Sequence, residues 1–186
     1  MRNRPFYSNM DNNNSRDSCN KKFGKQQSDK TLTQGVVILW CVHGIAYGWH
    51  IHKGQESVND VFSAIITRFP KAPKVIIYDL ACRLGIYAMK REPHFFKETK
   101  FLIDRFHSDN HIDCGRSSLL KTFASQKLQG SYIYHNINDT VAEQRNSVLK
   151  PKKKQFSFAT LSTASILLNG LLYLKNYKQI REINKV

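Results

Sequence analysis

Apolar residues repeat with two different periods along the chain, and the change between them predicts a mixed α/β fold. Residues 36–52 (VVILWCVHGIAYGWHIH) form two β-rich runs on either side of Gly44, which is typical of a hairpin with a glycine in its turn. Residues 56–69 then place apolar side chains at helical spacing, so an amphipathic helix is expected before Pro70. The domain is therefore predicted to begin with a hairpin and a helix.

Two short apolar runs in the middle of the chain predict buried strands. KVIIYDLA (residues 74–81) and KFLID (residues 100–104) each lead to an aspartate. Between them a helix is expected from about Cys82 to the region of Pro93, because the position before a proline disfavours helical geometry. Strands that alternate with helices in this way predict an α/β layered domain.

Beyond Cys114 the pattern is helical with loops. Three helices are expected, in SSLLKTFASQKL, in NDTVAEQRNSVLK and in an apolar segment that ends near Tyr177, and Asn138 or Asp139 is expected to cap the second. The apolar segment, residues 158–174, lacks charge but carries five Ser, Thr and Asn residues, too many polar groups for an easy membrane crossing. We therefore expect a buried or groove-facing helix and no membrane partner.

Composition divides the chain into a lead-in and one domain. Residues 1–30 are polar and low in complexity and are predicted to be a disordered or loosely attached lead-in. Residues 31–180 are long enough to bury the core of one mid-sized domain. The four cysteines are widely spaced and follow no signal peptide, which favours a reducing compartment with free or metal-bound thiols.

The chain is strongly basic. Its 29 Lys and Arg against 14 Asp and Glu give a net charge of +15, which favours a polyanionic partner, nucleic acid first; a basic domain without such a partner is the alternative. The segment KPKKK suits phosphate contacts or a nuclear import signal, and a solvated run of charge is the other interpretation. Its lysines are Lys150, Lys152, Lys153 and Lys154.

Acidic residues provide the first candidate for chemistry. Asp79 and Asp104 follow the two predicted strands, and the carboxyl ends of strands line the functional crevice of open α/β sheets. Glu143 in the segment VAEQRN is a third candidate. Carboxylates gathered there would hold magnesium or manganese for phosphoryl transfer. The alternative is that each aspartate only caps the segment that follows it.

Cysteine and histidine residues provide the second candidate. Their spacing suits tetrahedral zinc, although buried cysteines are also common as small hydrophobic residues. The candidate ligands are Cys41, His43, Cys82, His107, His111 and Cys114. The remaining histidines, His50, His52, His94 and His135, are interpreted as ordinary polar or core residues.

Five short motifs occur in an order that resembles a known family. They are C-x-H-G (41–44), YD-x-AC (78–82), REP-x-FF (91–96), DRFH-x3-H-x2-C (104–114) and AEQ-x-N (142–146). Between about Thr31 and Asn146 the chain is similar to the KDZ (Kyakuja-Dileera-Zisupton) superfamily of DNA transposases. The combination of motifs is specific, although each motif alone is short.

The resemblance implies a ribonuclease-H-like catalytic core in which acidic residues hold divalent metal for cutting and joining DNA. Asp79 would be the acid at the end of the fourth strand of that core, and Glu143 the acid on a late helix. The segment from His107 to Cys114 would correspond to a cysteine/histidine element of these transposases. Asp104 is adjacent to that element and would support either role. A nuclear location is implied as well.

The chain departs from the family in one respect. Such cores carry their first catalytic aspartate on a strand that precedes the hairpin, whereas upstream of Val36 this chain offers Asp11, Asp17 and Asp29 in polar stretches only. A two-metal site that lacks one carboxylate holds its ions poorly. We therefore expect a core without its first strand, as in an N-terminally truncated transposase.

Three functions remain open at this point. The chain would be a transposase catalytic domain, a non-catalytic DNA-binding remnant of one, or a small structural zinc protein with no role on DNA. A catalytic domain would bring its complete set of acidic residues together in one site, whereas a remnant would not. Salt-dependent DNA binding would distinguish the remnant from the structural zinc protein. A homo-oligomer is compatible with all three.

Overall fold

A computed structural model describes residues 35–52, 57–111, 114–125 and 137–185 of the chain. The described residues fall into two compact units. The first unit lies within Val61–Ile137, and the second combines the residues up to Asp60 with those from Asn138 onward. The predicted lead-in, residues 1–30, lies outside the described residues.

Strands and helices both occur in the described residues, so the prediction of a mixed α/β fold is confirmed at that level. The strands are β1 (Gly35–Trp40), β2 (Ala46–His52), β3 (Val75–Ile77) and β4 (Lys100–Leu102). The helices are α1 (Val58–Arg68), α2 (Ala81–Arg91), α3 (Pro93–Phe96), α4 (Leu120–Ser125), α5 (Val141–Ser147), α6 (Lys153–Phe158) and α7 (Leu161–Ile183). Short 3-10 turns lie at Ser108–Asn110, Arg116–Ser118 and Lys150–Lys152.

The described strands form two separate pairs, β1 with β2 and β3 with β4. A ribonuclease-H-like core would need these pairs to belong to one sheet, so that finer assignment remains a proposal. The β3–β4 pair is parallel, with Ile77 opposite Leu102. Parallel pairing places the carboxyl ends of both strands at one edge, as the sequence predicts for the two acids.

The first unit packs around aromatic and branched side chains. Phe62 of α1 and Phe96 of α3 are fully buried, and their ring centroids lie 5.8 Å apart. Leu84 of α2 and Leu102 of β4 are also fully buried. The amphipathic pattern predicted for α1 is confirmed, because its inward face carries buried apolar residues from Val61 onward.

In the second unit, the predicted hairpin is confirmed. β1 and β2 pair in antiparallel fashion, and the turn is closed by the Gly44 N–H, which donates to the Cys41 carbonyl over 2.9 Å. Gly44 has φ of +75°, in the left-handed region that favours glycine. A Cβ atom at this position would also collide with the guanidinium of Arg145, whose Nη2 donates to Gln179.

Replacing Gly44 with alanine should therefore destabilise the second unit by about 1–2 kcal/mol, because the left-handed backbone and the crowded guanidinium both oppose a side chain. Gly170 is the matched control. It lies inside α7 with open space around its Cβ position, so Gly170→Ala should raise stability by up to about 1 kcal/mol through helix propensity. Chemical denaturation measures both effects. Equal effects of the two substitutions would contradict this account of the turn.

Helix α7 packs on the hairpin with one face. Ala164, Leu168 and Leu172 are buried in a cluster with Ile51 and Phe156. Two asparagines of α7 also contact the hairpin through side-chain hydrogen bonds, Asn169 with the Trp49 indole and Asn176 with both backbone groups of Ala46. Within the described residues no helix is sufficiently long and apolar to cross a membrane.

The start of α5 differs from the prediction. Its N-cap residue is Thr140, not Asn138 or Asp139. The Asn138 side chain instead accepts hydrogen bonds from the Thr140 backbone N–H and hydroxyl, at 3.3 and 2.9 Å. This closes an Asx-type turn just before the helix, and the turn moves the first helical residue toward Val141.

Candidate metal centre

Three of the predicted zinc ligands converge in the first unit. Cys82 lies in the first turn of α2, which follows β3, and His111 and Cys114 lie in the segment that follows β4. Because β3 and β4 are parallel, the two segments leave the pair at the same edge. The topology therefore brings together residues that lie far apart in the sequence.

The distances from the His111 nitrogen to the two sulfurs are close to those expected around a tetrahedral zinc ion. His111 Nδ1 lies 3.3 Å from Cys114 Sγ and 3.8 Å from Cys82 Sγ. Zinc bonds of about 2.3 Å to sulfur and 2.0 Å to nitrogen place these atoms about 3.5 Å apart at a tetrahedral angle. All three ligand atoms lie within 4.8 Å of one another. One imidazole nitrogen thus faces two thiols at ligand spacing.

The surroundings of these residues are largely apolar. His111 is only 5% exposed, and Cys82 and Cys114 are half-buried against Ala81, Ile103 and Leu119. The Cys114 N–H donates to the His111 carbonyl over 3.1 Å, so a turn holds these two ligands at a fixed spacing. An apolar shell limits the access of water to a bound metal and strengthens its bonds to thiolates.

The donor set fits zinc better than a hard cation. Two sulfurs and one imidazole nitrogen suit zinc, whereas magnesium and calcium require oxygen ligands. Three protein ligands leave one of the four positions for water or a further side chain. Among the described residues, this is the group of three cysteine, histidine or acidic side chains whose ligand atoms lie close enough for one ion.

His107 is not a member of this group, although its spacing to His111 suggested a ligand. Asp104 is buried, at 8% exposure, and both of its carboxylate oxygens contact His107. Its Oδ1 accepts the His107 backbone N–H and its Oδ2 contacts His107 Nδ1, both at 2.8 Å. Asp104 therefore closes the turn after β4, in line with the capping alternative.

The other predicted site residues lie elsewhere. Asp79 is half-buried between β3 and α2 in the first unit, whereas Glu143 is exposed on α5 in the second. A common crevice for these two acids therefore remains a prediction. Cys41 and His43 lie in the hairpin turn of the second unit, where the Cys41 sulfur is 4.0 Å from His43 Nδ1.

The predicted DNA-binding lysines are all exposed. Lys150 and Lys152 belong to the 3-10 turn after α5, and Lys153 and Lys154 begin α6. Phe156, two residues further on, is buried in the core of the second unit and anchors this segment. The lysines are therefore accessible to a polyanion, as both interpretations of the charge run require.

The sequence interpretation missed a polar cluster around Asp60 in the second unit. His50 and His52 are two residues apart in β2 and therefore lie on the same face of the strand. Their nitrogens lie 3.3 and 3.1 Å from the two oxygens of Asp60. The His52 contact is close but off the direction of a hydrogen bond. Ser57 donates to Asp60 over 2.7 Å. The spacing Ser57-x-x-Asp60 is a capping signal for α1 that could have been recognised.

Burial opposes the ionisation of Asp60, but its contacts with His50, His52 and Ser57 outweigh burial and hold the pKa of the carboxyl well below its ordinary value of 3.8. Because the pKa is lower in the folded state, the ionised carboxylate stabilises the fold, and this contribution is complete at pH values above 3.8. The contribution is lost as the pH falls below 3.8 toward the folded-state pKa.

Asp60→Asn should therefore lower the free energy of unfolding at neutral pH by about 2 kcal/mol, because it removes the charge that the histidines face. The variant should also lose less stability than the parent chain when the pH is lowered below about 4. Asp109→Asn is the control, since Asp109 is exposed and should have little influence. Urea titrations at several pH values test this. Parallel acid profiles for parent and Asp60→Asn would contradict the assignment.

Comparison with known proteins adds no relative. No protein-family model matches the chain, and neither the curated proteins nor the solved structures contain a significant match. The likeness to KDZ transposases therefore depends on the five motifs alone.

Proposed function

We propose that the chain is a transposase-derived, DNA-binding protein whose first unit is organised by a structural zinc ion at Cys82, His111 and Cys114. The observation that carries this proposal is the convergence of the three ligands at zinc spacing. The same residues belong to the motifs YD-x-AC and DRFH-x3-H-x2-C, which are central to the family likeness. The geometry of the site and the motif pattern thus support one proposal.

A zinc ion at this position would add a covalent link between two segments that already pack together around Ala81, Ile103 and Leu119. Cys82 and His111 are 29 residues apart. Metal binding adds its free energy to folding when the unfolded chain does not preform the site. Zinc would therefore fix the start of α2 against the segment after β4, where Asp79 and Asp104 also lie.

The second unit supplies the proposed DNA-binding surface. Its lysine run is exposed and anchored through Phe156, and the whole chain carries a net charge of +15. Lysine contacts to phosphate provide affinity that is independent of base sequence and sensitive to salt. A nuclear location is part of this proposal, since the same lysines would serve as an import signal.

We propose further that DNA is bound but not cut. Cleavage by two magnesium or manganese ions needs several carboxylates around one phosphate. Asp79 and Glu143 are the acids that the family likeness favours. Both oxygens of the Asp104 carboxylate contact His107, so they already have partners within the protein. A ribonuclease-H-like ancestry with an incomplete metal site accounts for this combination.

The alternative is a small structural zinc protein without a role on DNA. The Cys82–His111–Cys114 cluster supports both functions, so DNA binding separates them. Zinc content of the purified chain and a salt titration of binding to a labelled duplex form the test. Stoichiometric zinc with binding that weakens steeply as salt rises is expected. Zinc without DNA binding at low salt would leave the structural alternative, and a chain free of zinc would overturn the metal proposal.

A further inference from the structure

The outer face of α7 carries large apolar side chains that the described residues do not cover. Ile166 is 72% exposed and Tyr173 is 69% exposed. Tyr177 and Ile180 continue the row toward the end of the helix, and both are exposed. The row lies opposite the buried face of Ala164, Leu168 and Leu172, as the pitch of an α-helix requires. The helix therefore has one apolar face on the hairpin and another toward solvent.

The exposed row has the spacing of a helix-pairing seam. Ile166, Gly170, Tyr173, Tyr177 and Ile180 follow one another at alternating steps of four and three residues. This is the heptad spacing by which one α-helix packs against another along a shallow crossing angle. The seam extends over about 21 Å of helix, at 1.5 Å per residue. Leu167 and Leu174 widen it on one side, and both are exposed.

We propose that this seam binds the same helix of a second copy of the chain, in antiparallel orientation. The charges of α7 favour that direction. Its first half, residues 161–174, contains no charged residue, whereas its second half carries Lys175, Lys178 and Arg181 with a single acid, Glu182. Parallel helices would place two basic halves side by side, and like charges in apposition are unfavourable. Antiparallel helices place each basic half against an uncharged one.

Side-chain size supports the same direction. When two antiparallel seams are aligned about the midpoint between Leu171 and Leu172, Gly170 faces Tyr173 of the second copy. Gly170 has open space around its Cβ position, so a tyrosine ring can occupy that space. In the same register Ile166 faces Tyr177 of the second copy. One alignment thus pairs the small residue with a large one and an aliphatic side chain with an aromatic ring.

The interface is short, so the dimer should be weak and depend on concentration. A pair of seams of this length lies at the small end of specific protein interfaces. We expect a dissociation constant on the order of 10 µM. Sedimentation velocity of the full chain over a range of concentrations measures it. A monomer at every concentration would overturn the proposal, whether the seam is empty or covered by another part of the chain.

Tyr173→Glu tests the surface, because it places a charge at the middle of the seam on a side chain that is exposed in the single chain. We expect at least a tenfold weaker dimer and unchanged helix content by circular dichroism. Ile86→Glu is the matched control, since Ile86 is 62% exposed on α2 in the first unit. The control should dimerise like the parent chain. Dimerisation that persists in Tyr173→Glu would place the interface elsewhere and overturn the assignment.

A charge-exchange experiment tests the orientation. Ile166→Lys and Tyr177→Glu should each weaken self-association, because each places one charge opposite an apolar side chain. Mixed together, the two variants should associate. Antiparallel pairing sets the introduced lysine of one chain against the introduced glutamate of the other, and the second 166–177 pair keeps its native isoleucine and tyrosine. Parallel pairing would not bring these charges together. Failure of the mixture to associate would contradict the antiparallel register. Neither result depends on zinc, because the candidate metal centre lies in the first unit and α7 in the second. Both experiments are run without DNA.

Discussion

Replacing Cys114 with serine should weaken zinc binding more than a hundredfold and destabilise the first unit. A serine hydroxyl does not replace a thiolate ligand, and two ligands hold zinc much more weakly than three. Zinc bound only by the folded state adds its binding free energy to stability, so a hundredfold weaker site costs about 2.7 kcal/mol once zinc exceeds its dissociation constant. Competition with a chromophoric chelator measures the affinity, and thermal unfolding with and without zinc measures the stability.

Two controls separate ligation from other effects. Cys41→Ser removes a free thiol of the second unit and should leave zinc affinity unchanged. His107→Asn breaks the pair with Asp104 and should lower stability while zinc stoichiometry stays the same. If Cys114→Ser retains the zinc affinity of the parent chain, or if His107→Asn releases the metal, the assignment of ligands is wrong.

The chain should bind duplex DNA through its lysine run and leave the DNA intact. Replacing Lys150, Lys152, Lys153 and Lys154 with glutamine should make the slope of log affinity against log salt less steep by up to about 3.6, at roughly 0.9 for each phosphate that a lysine no longer neutralises. Affinity should fall to a similar extent on duplexes of different sequence, because phosphate contacts carry no base information. Fluorescence anisotropy over a salt series measures both quantities.

The matched control removes the same charge from another surface. Lys71, Lys74, Lys90 and Lys97 are exposed lysines of the first unit, and their replacement with glutamine also lowers the net charge by four. In the control variant, the slope of log affinity against log salt should remain steeper than in the variant that lacks the four lysines of the run. Incubation with magnesium or manganese should leave a labelled duplex uncut. Nicking that disappears in Asp79→Ala would show a complete active site and contradict the proposal.

Local patterns predicted the elements that depend on local chemistry. The hairpin around Gly44 was predictable because its turn needs a residue that tolerates positive φ, and α1 was predictable from its amphipathic spacing. The cap of α5 was missed by one or two residues, because Asn138 competes for the same backbone groups in a turn before the helix.

The candidate metal centre was only partly predictable. The spacing of His111 and Cys114 fits one turn and can be recognised in the sequence. The third ligand, Cys82, depends on the parallel pairing of β3 with β4, which no local pattern specifies. Spacing alone also made His107 a ligand candidate, because its competing interaction with Asp104 appears only once the turn has formed. The cluster of Asp60 with two histidines likewise depends on a contact within the second unit between β2 and a residue that lies eight or more positions further along the chain.

X-ray absorption at the zinc edge of the metal-loaded chain tests the central claim most directly. The proposed site predicts one zinc ion with two sulfur neighbours at about 2.3 Å and nitrogen at about 2.0–2.1 Å. In Cys114→Ser the sulfur shell of any remaining zinc should fall to one neighbour. A chain that binds no zinc, or a zinc shell without sulfur, would contradict the assignment of Cys82, His111 and Cys114 as ligands.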